Sequence, residues 1–181
     1  MNTYKKNWPK FIIGLTACLL IRLIPLRAPN IEPILATQMP FTKAYGAWVG
    51  FFFGLAGILS YDLITGTMGK WTLFTASAYG ILGFLAHFYF KSRKPSVRNF
   101  VSFAIFGTLF FDAVTGLAAG PILFDQPFTS AFFGQIPFTA LHLLGNISFA
   151  ILLSPAIYRF VVRNENLKSV SIINIFSPKR I

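Results

Sequence analysis

The chain has 181 residues, of which 55% are hydrophobic, 17% aromatic and only 12% charged, with a mean hydropathy of +0.64. A soluble domain carries about 25% charged residues, so this composition excludes an ordinary water-soluble globule and points to an integral membrane protein. Net charge is +11, yet basic residues also gather on the cytoplasmic face of membrane proteins, so no nucleic-acid partner is inferred from it.

Taken in chain order, six segments are apolar enough to be helices in a bilayer, where a lipid-facing span needs about 20 residues. They run from about Trp8 to Pro25, Ile31 to Thr42, Ala47 to Ile64, Trp71 to Phe90, Phe100 to Ala118 and Ser130 to Val162. The first follows Lys5, Lys6 and Lys10 and has the outline of a signal peptide, but no small-x-small cleavage site follows it. It is read as a retained helix entering from the cytoplasm. The second, "IEPILATQMPF", is short for a lipid-facing span and suits a helix packed inside the bundle, or a re-entrant piece. The sixth is long and contains Pro137 and Pro155.

Charge distribution tests that count. Six spans put Lys5, Lys6 and Lys10, then Lys43, then Lys91, Arg93, Lys94 and Arg98, then Arg159, Arg163, Lys168, Lys179 and Arg180 on one side. That side receives 13 of the 16 basic residues, while four of the five acids fall opposite. Five spans would misplace the C-terminal cluster. The expected fold is therefore all-α, a bundle of six transmembrane helices over residues 1–163 with both termini cytoplasmic. Residues 164–181 form a basic cytoplasmic tail, loose or resting on anionic lipid.

Two spans end alike. "YDLITG" (Tyr61–Gly66) and "FDAVTG" (Phe111–Gly116) stand fifty residues apart, and Gly57 also matches Gly107. Both copies run from inside to outside, as in a parallel internal repeat. Gly66 and Gly116 suit helix C-caps, and each Thr can bond a carbonyl one turn back. Asp62 and Asp112 then either tie the adjacent loop or face an outward cavity and bind a polar ligand. Asp112 faces the longer outer loop and is the better candidate for ligand contact; Asp62 is its structural twin.

Further candidates have equally plain packing roles. "IPLRAPNIEP" (Ile24–Pro33) offers Arg27, Asn30 and Glu32, either as a loop with an Arg–Glu pair or as a gate over a pocket. Trp71 is an interfacial anchor or a stacking platform. Gln135, His142 and Asn146 share one face of the sixth span, and polar residues in a span face the bundle interior. They either bond between helices or meet a ligand. Gly14, Ala17 and Cys18 are small residues on one side of the first helix, fit for internal packing or for docking a partner helix. Cys18 is the chain's one cysteine, so no intrachain disulfide and no cysteine-based zinc site is expected.

Catalytic signatures are missing. "GTMGKWT" fails the Walker A pattern, and there is no HExxH, GxSxG or metal-spaced Cys/His cluster. No catalytic residue, metal or cofactor is assigned.

With "RLIPLRAPNIEPILA" (Arg22–Ala36), "YDLITGTMGKWTLFTASAYGILGF" (Tyr61–Phe84) and this layout, the chain resembles the substrate-binding S component of energy-coupling factor (ECF) vitamin transporters, over nearly its whole length to about Tyr158. The resemblance implies a non-enzymatic cell-membrane subunit that captures a vitamin-like micronutrient on its outer side. It implies a pocket built by the loops after spans one, three and five, that is Arg27–Glu32, Asp62–Trp71 and Asp112–Gln126. It implies partners, a transmembrane T component and two ATPases, with docking through Gly14, Ala17 and Cys18. Gly14-xxx-Cys18 departs from the usual Ala-xxx-Ala pattern. Two rival readings are a rod-shape-determining type of membrane scaffold with no ligand, and an intramembrane enzyme using Asp62, Asp112 and His142.

Overall fold

The computed structural model describes residues 3–25 and 30–167. Arg27, Lys168, Lys179, Arg180 and the greater part of the basic tail lie outside the described residues. Helices account for the ordered structure, and no strand occurs among the described residues. They are α1 (Thr3–Arg22), α2 (Ile34–Tyr45), α3 (Ala47–Thr65), α4 (Lys70–Lys91), α5 (Val97–Asp112), α6 (Gly120–Phe124) and α7 (Phe128–Ala156). A π-helical segment, Ala113–Ala119, joins α5 to α6 without a break, and a second, Ile157–Val162, extends α7.

Four helical stretches are long and apolar enough to cross a membrane: Ala47–Thr65, Lys70–Lys91, Val97–Phe124 and Phe128–Val162. Their outer surfaces are greasy, with Leu63, Leu73, Phe133 and Leu152 each about two-thirds exposed or more. Soluble monomers rarely expose contiguous apolar faces on that scale, and hydrocarbon would satisfy them.

The short α2 behaves differently. At 12 residues it is about 18 Å long, well under the roughly 30 Å of a bilayer core. Every residue from Ile34 to Thr42 is buried, and α1, α3, α4, α5 and α7 all pack on it. A helix that is buried all round sits in a core, and α2 is the core of this bundle. Of its buried polar side chains, Thr37 and Thr42 bond carbonyls at Pro33, Ile34 and Gln38, and Gln38 reaches other helices. Gln38 Nε2 donates to the carbonyl oxygens of Gly50 and Tyr79, both at 2.8 Å, and so ties α3 to α4. Those two helices touch at Gly50 and Gly83, where a Cβ on either would strike the other's backbone carbonyl.

Basic residues collect at one end of the bundle. Lys10 Nζ donates to Val162 O at 2.7 Å, Tyr45 Oη to the same carbonyl at 3.3 Å, and Lys43 Nζ to Phe90 O at 2.7 Å. Cations on C-terminal carbonyls suit the negative end of the helix dipole. These bonds bring the start of α1, the α2–α3 junction and the ends of α4 and α7 together. The junctions carrying Glu32, Asp62 and Trp71 lie at the opposite end.

The two hexapeptides end differently. After Asp62, α3 stops: Gly66 is left-handed at φ 70°, ψ 21°, and the Gly66 and Thr67 amides both bond to Asp62 O. That closure needs positive φ, which glycine supplies without strain. After Asp112 the helix continues through Gly116, so Gly116 is not a cap. Gly116 faces α7 instead, and a Cβ there would run into the Gln135 amide. The threonines do behave alike. Thr65 Oγ1 donates to Tyr61 O at 2.9 Å and Thr115 Oγ1 to Phe111 O at 2.8 Å.

Candidate functional site

At the end away from the basic cluster the bundle opens into two adjoining chambers. The first, about 240 Å³, is lined by Arg22, Asn30, Glu32, Ile58, Asp62, Trp71, Thr75, Tyr79, Phe111, Phe138 and His142. The second, about 440 Å³, is lined by Trp71, Thr115, Gly116, Gly120, Phe124, Gln126, Ala131, Gly134, Gln135 and Phe138. Trp71 and Phe138 belong to both and form the partition.

Helical periodicity places the walls. Ile58 and Asp62 on α3, Trp71, Thr75 and Tyr79 on α4, and Phe138 and His142 on α7 are rows spaced by four. Such rows lie on one face of a helix, so each helix turns a single stripe to the chamber. The aromatic rings pack against each other: Tyr79 and Phe111 centroids are 4.4 Å apart, and the His142 ring meets Phe111 and Phe138 edge-on at 5.6 and 5.9 Å.

Arg22 ends α1 at the chamber. Its Nε lies 2.9 Å from Glu32 Oε2, its second nitrogen donates to Gly57 O at 2.9 Å, and its guanidinium sits 3.9 Å over the Tyr61 ring. The planar fork and stacking face of Arg make three such engagements compatible. Arg22, within the helix, thus pairs with Glu32 and fixes the stretch leading into α2, while the Arg27 side of the Arg–Glu pair expected of the first outer loop lies outside the described residues.

Asp62 lines the first chamber and also organises the α3–α4 junction. Thr72 Oγ1 donates to Asp62 Oδ2 at 2.6 Å and accepts from the Gly69 amide at 3.0 Å. Cap and chamber wall are therefore the same residue. Asp112 stands one layer back. It is 2% exposed, and its Oδ1 is 2.7 Å from His142 Nδ1. One turn deeper, Asn146 Nδ2 donates to Thr108 Oγ1 at 2.8 Å. The α5 and α7 helices thus join through two polar rungs, Asp112–His142 and Thr108–Asn146, each helix using positions four apart.

The sequence candidates are distributed as follows. Asn30, Glu32, Asp62, Trp71 and His142 meet at the first chamber, and Gln135 lies in the second. Asp112 and Asn146 are behind the wall, with Asp112 reaching the chamber through His142. Asp62, rather than Asp112, lines the chamber, because α5 turns Phe111 to the chamber and Asp112 to α7. Arg27 lies outside the described residues. Gly14 and Cys18 are buried and face inward, where Gly14 accommodates the Phe41 ring; Ala17 is half-buried. The sequence reading missed Arg22, Thr75, Tyr79, Phe111 and Phe138. The four-residue rows extending from Trp71 and from His142 were the available signal for Thr75, Tyr79 and Phe138.

Among the described residues, no three His, Cys, Asp or Glu side chains come together in metal-binding geometry. Compared with family models, curated proteins and solved structures, the chain gives no match.

Proposed function

We propose that this chain is the ligand-capturing S subunit of an importer of the energy-coupling factor type. In this reading it is a six-span protein of the cell membrane with both termini in the cytoplasm. It takes up a vitamin-like micronutrient from the outer side and hands it over with a T component and two ATPases. The observation that carries the reading is the pair of chambers at the bundle end opposite the basic residues. By the positive-inside rule that end faces outward. The chambers combine aromatic walls with a few convergent polar groups, the usual make-up of a small-molecule site. Because Gly14 and Cys18 are turned inward, docking of the T component falls on the outward side of α1, at Ile13, Ala17 and Leu20.

The test is ligand capture without ATP. Full-length protein, purified in nanodiscs, is denatured and the released small molecules identified by mass spectrometry. A micronutrient should be present, and Tyr79→Ala should lose it while retaining a folded, monodisperse protein. A chain that never carries or binds a small molecule, across extracts and a vitamin panel, is not a capture subunit.

A further inference from the structure

We infer that the ligand presents a positively charged, planar group to the chamber lined by Asp62 and His142. This rests on the reading of the chambers as a ligand site and specifies the chemistry of one of them.

The first observation concerns charge. The chain has five acidic residues against sixteen basic ones, yet Glu32 and Asp62 line this chamber and Asp112 lies directly behind it on His142. Among the described residues of its wall, Arg22 is the one permanent cation, and it is engaged by Glu32, the Gly57 carbonyl and the Tyr61 ring. Arg22 cancels Glu32, which leaves Asp62 and the Asp112–His142 pair. Among the described residues that remainder sets two carboxylates against one imidazole. A chamber walled by protein amplifies the imbalance, since charges interact more strongly away from bulk water.

The second observation concerns hydrogen bonding. His142 and Tyr79 are each 2% exposed and both line the chamber, yet His142 Nε2 and Tyr79 Oη are 3.5 Å apart. That is beyond a good hydrogen bond for such groups. With Nδ1 held by Asp112, Nε2 has only this long contact with Tyr79, which a ligand can replace. Asp62 likewise uses Oδ2 for Thr72 and has no bond at Oδ1 among the described residues. The free oxygen of Asp62 therefore favours an N–H donor, and the aromatic wall of Tyr79, Phe111 and Phe138 suits a flat cation. Among the described residues the second chamber has no charged side chain on its wall, so the charged group belongs in the first.

Three matched probes test this on the full chain in nanodiscs: 1-methylnicotinamide (cation), nicotinamide (neutral) and nicotinate (anion), with binding measured by calorimetry. The cation should bind on the order of tenfold more tightly than nicotinamide, as a charge-assisted contact over aromatic faces warrants, with nicotinate weakest. Asp62→Asn keeps an oxygen for Thr72 and should bring the first two within about twofold. The wild-type ranking decides the matter even if that variant does not fold. If nicotinamide or nicotinate binds as tightly as the cation, the charge inference fails while the ligand site stands. If no probe binds, the charge of the co-purified molecule decides: a cation upholds the inference, and a neutral or anionic molecule overturns it. No probe bound and nothing co-purified overturns both readings.

Discussion

Asp112 on α5 and His142 on α7 meet at 2.7 Å between Oδ1 and Nδ1, with both side chains buried. Removing one member strands the other in a low-dielectric interior, so Asp112→Ala should destabilise the protein by about 3 kcal/mol or more. The double variant Asp112→Ala/His142→Ala should fall short of the summed single effects by about 1–3 kcal/mol. Reversible unfolding of the four proteins in mild detergent measures this; strict additivity would mean that the contact contributes nothing.

The approach of α3 to α4 has no room for a side chain at Gly83. Gly83→Val should cost about 2 kcal/mol or more, because the new atoms meet the Gly50 backbone rather than a side chain that can turn away. Gly134 has nothing within 4 Å of a built Cβ and lies in a helix interior. Gly134→Ala should accordingly be neutral or stabilising by up to about 1 kcal/mol. Thermal unfolding of both variants separates steric exclusion from a general intolerance of glycine replacement.

Gln38 is the side chain by which α2 ties α3 to α4. Gln38→Met keeps the length of the side chain and removes both donated bonds, for an expected loss of about 1–3 kcal/mol. Cysteine cross-linking across the α3–α4 contact should also become less position-specific, since that amide sets the register of the two helices. An unchanged unfolding midpoint would show that the carbonyls of Gly50 and Tyr79 do not need it.

Arg22 holds the approach to α2 through a fork and a stacking face. Arg22→Lys conserves charge and loses both. The amides of Ile31 and Glu32 should then exchange with solvent about tenfold faster, corresponding to roughly 1.4 kcal/mol of lost local stability. Hydrogen exchange read by mass spectrometry reports it, with α5 as the internal reference that should not change.

Trp71 forms part of the partition between the chambers, whereas Trp8 and Trp48 are exposed on other faces of the bundle. Occupation of either chamber should alter Trp71 emission. Trp71→Phe should abolish at least about four-fifths of the ligand-induced fluorescence change, because neither remaining indole lines either chamber. A full-sized signal in that variant would place the ligand elsewhere.

Some elements were legible because a single local rule decided them. The apolar run and the Gly66 stop delimit α3, read as about Ala47 to Ile64 and found as Ala47–Thr65. The fourth segment, read as about Trp71 to Phe90, is Lys70–Lys91. The shortness of "IEPILATQMPF" suggested a helix inside the bundle or a re-entrant piece, and the burial of Ile34 to Thr42 matches the first. Where two local rules gave one answer for two places, the reading failed. Gly66 and Gly116 close identical-looking hexapeptides, but the second helix runs on to Phe124 because α7 packs along it and the Gln135 amide lies against Gly116.

The site divides in the same way. Asn30, Glu32, Asp62, Trp71 and His142 stood out as polar or amphipathic groups in apolar surroundings, where retaining them carries a free-energy cost. Tyr79, Phe111 and Phe138 did not, since aromatics fill this chain throughout and only a neighbour's position separates a wall from a lipid face. Composition and charge spacing, by themselves, determined a helical chain suited to a bilayer with its basic residues at one end. Solvation enforces both: lipid excludes unpaired backbone groups, and charges stay near water. The tertiary structure alone decided which of two matching aspartates reaches the chamber. That choice depends on a rotation of α5 of about 100° per residue, set by the rung to His142 and invisible in the hexapeptide that the two aspartates share.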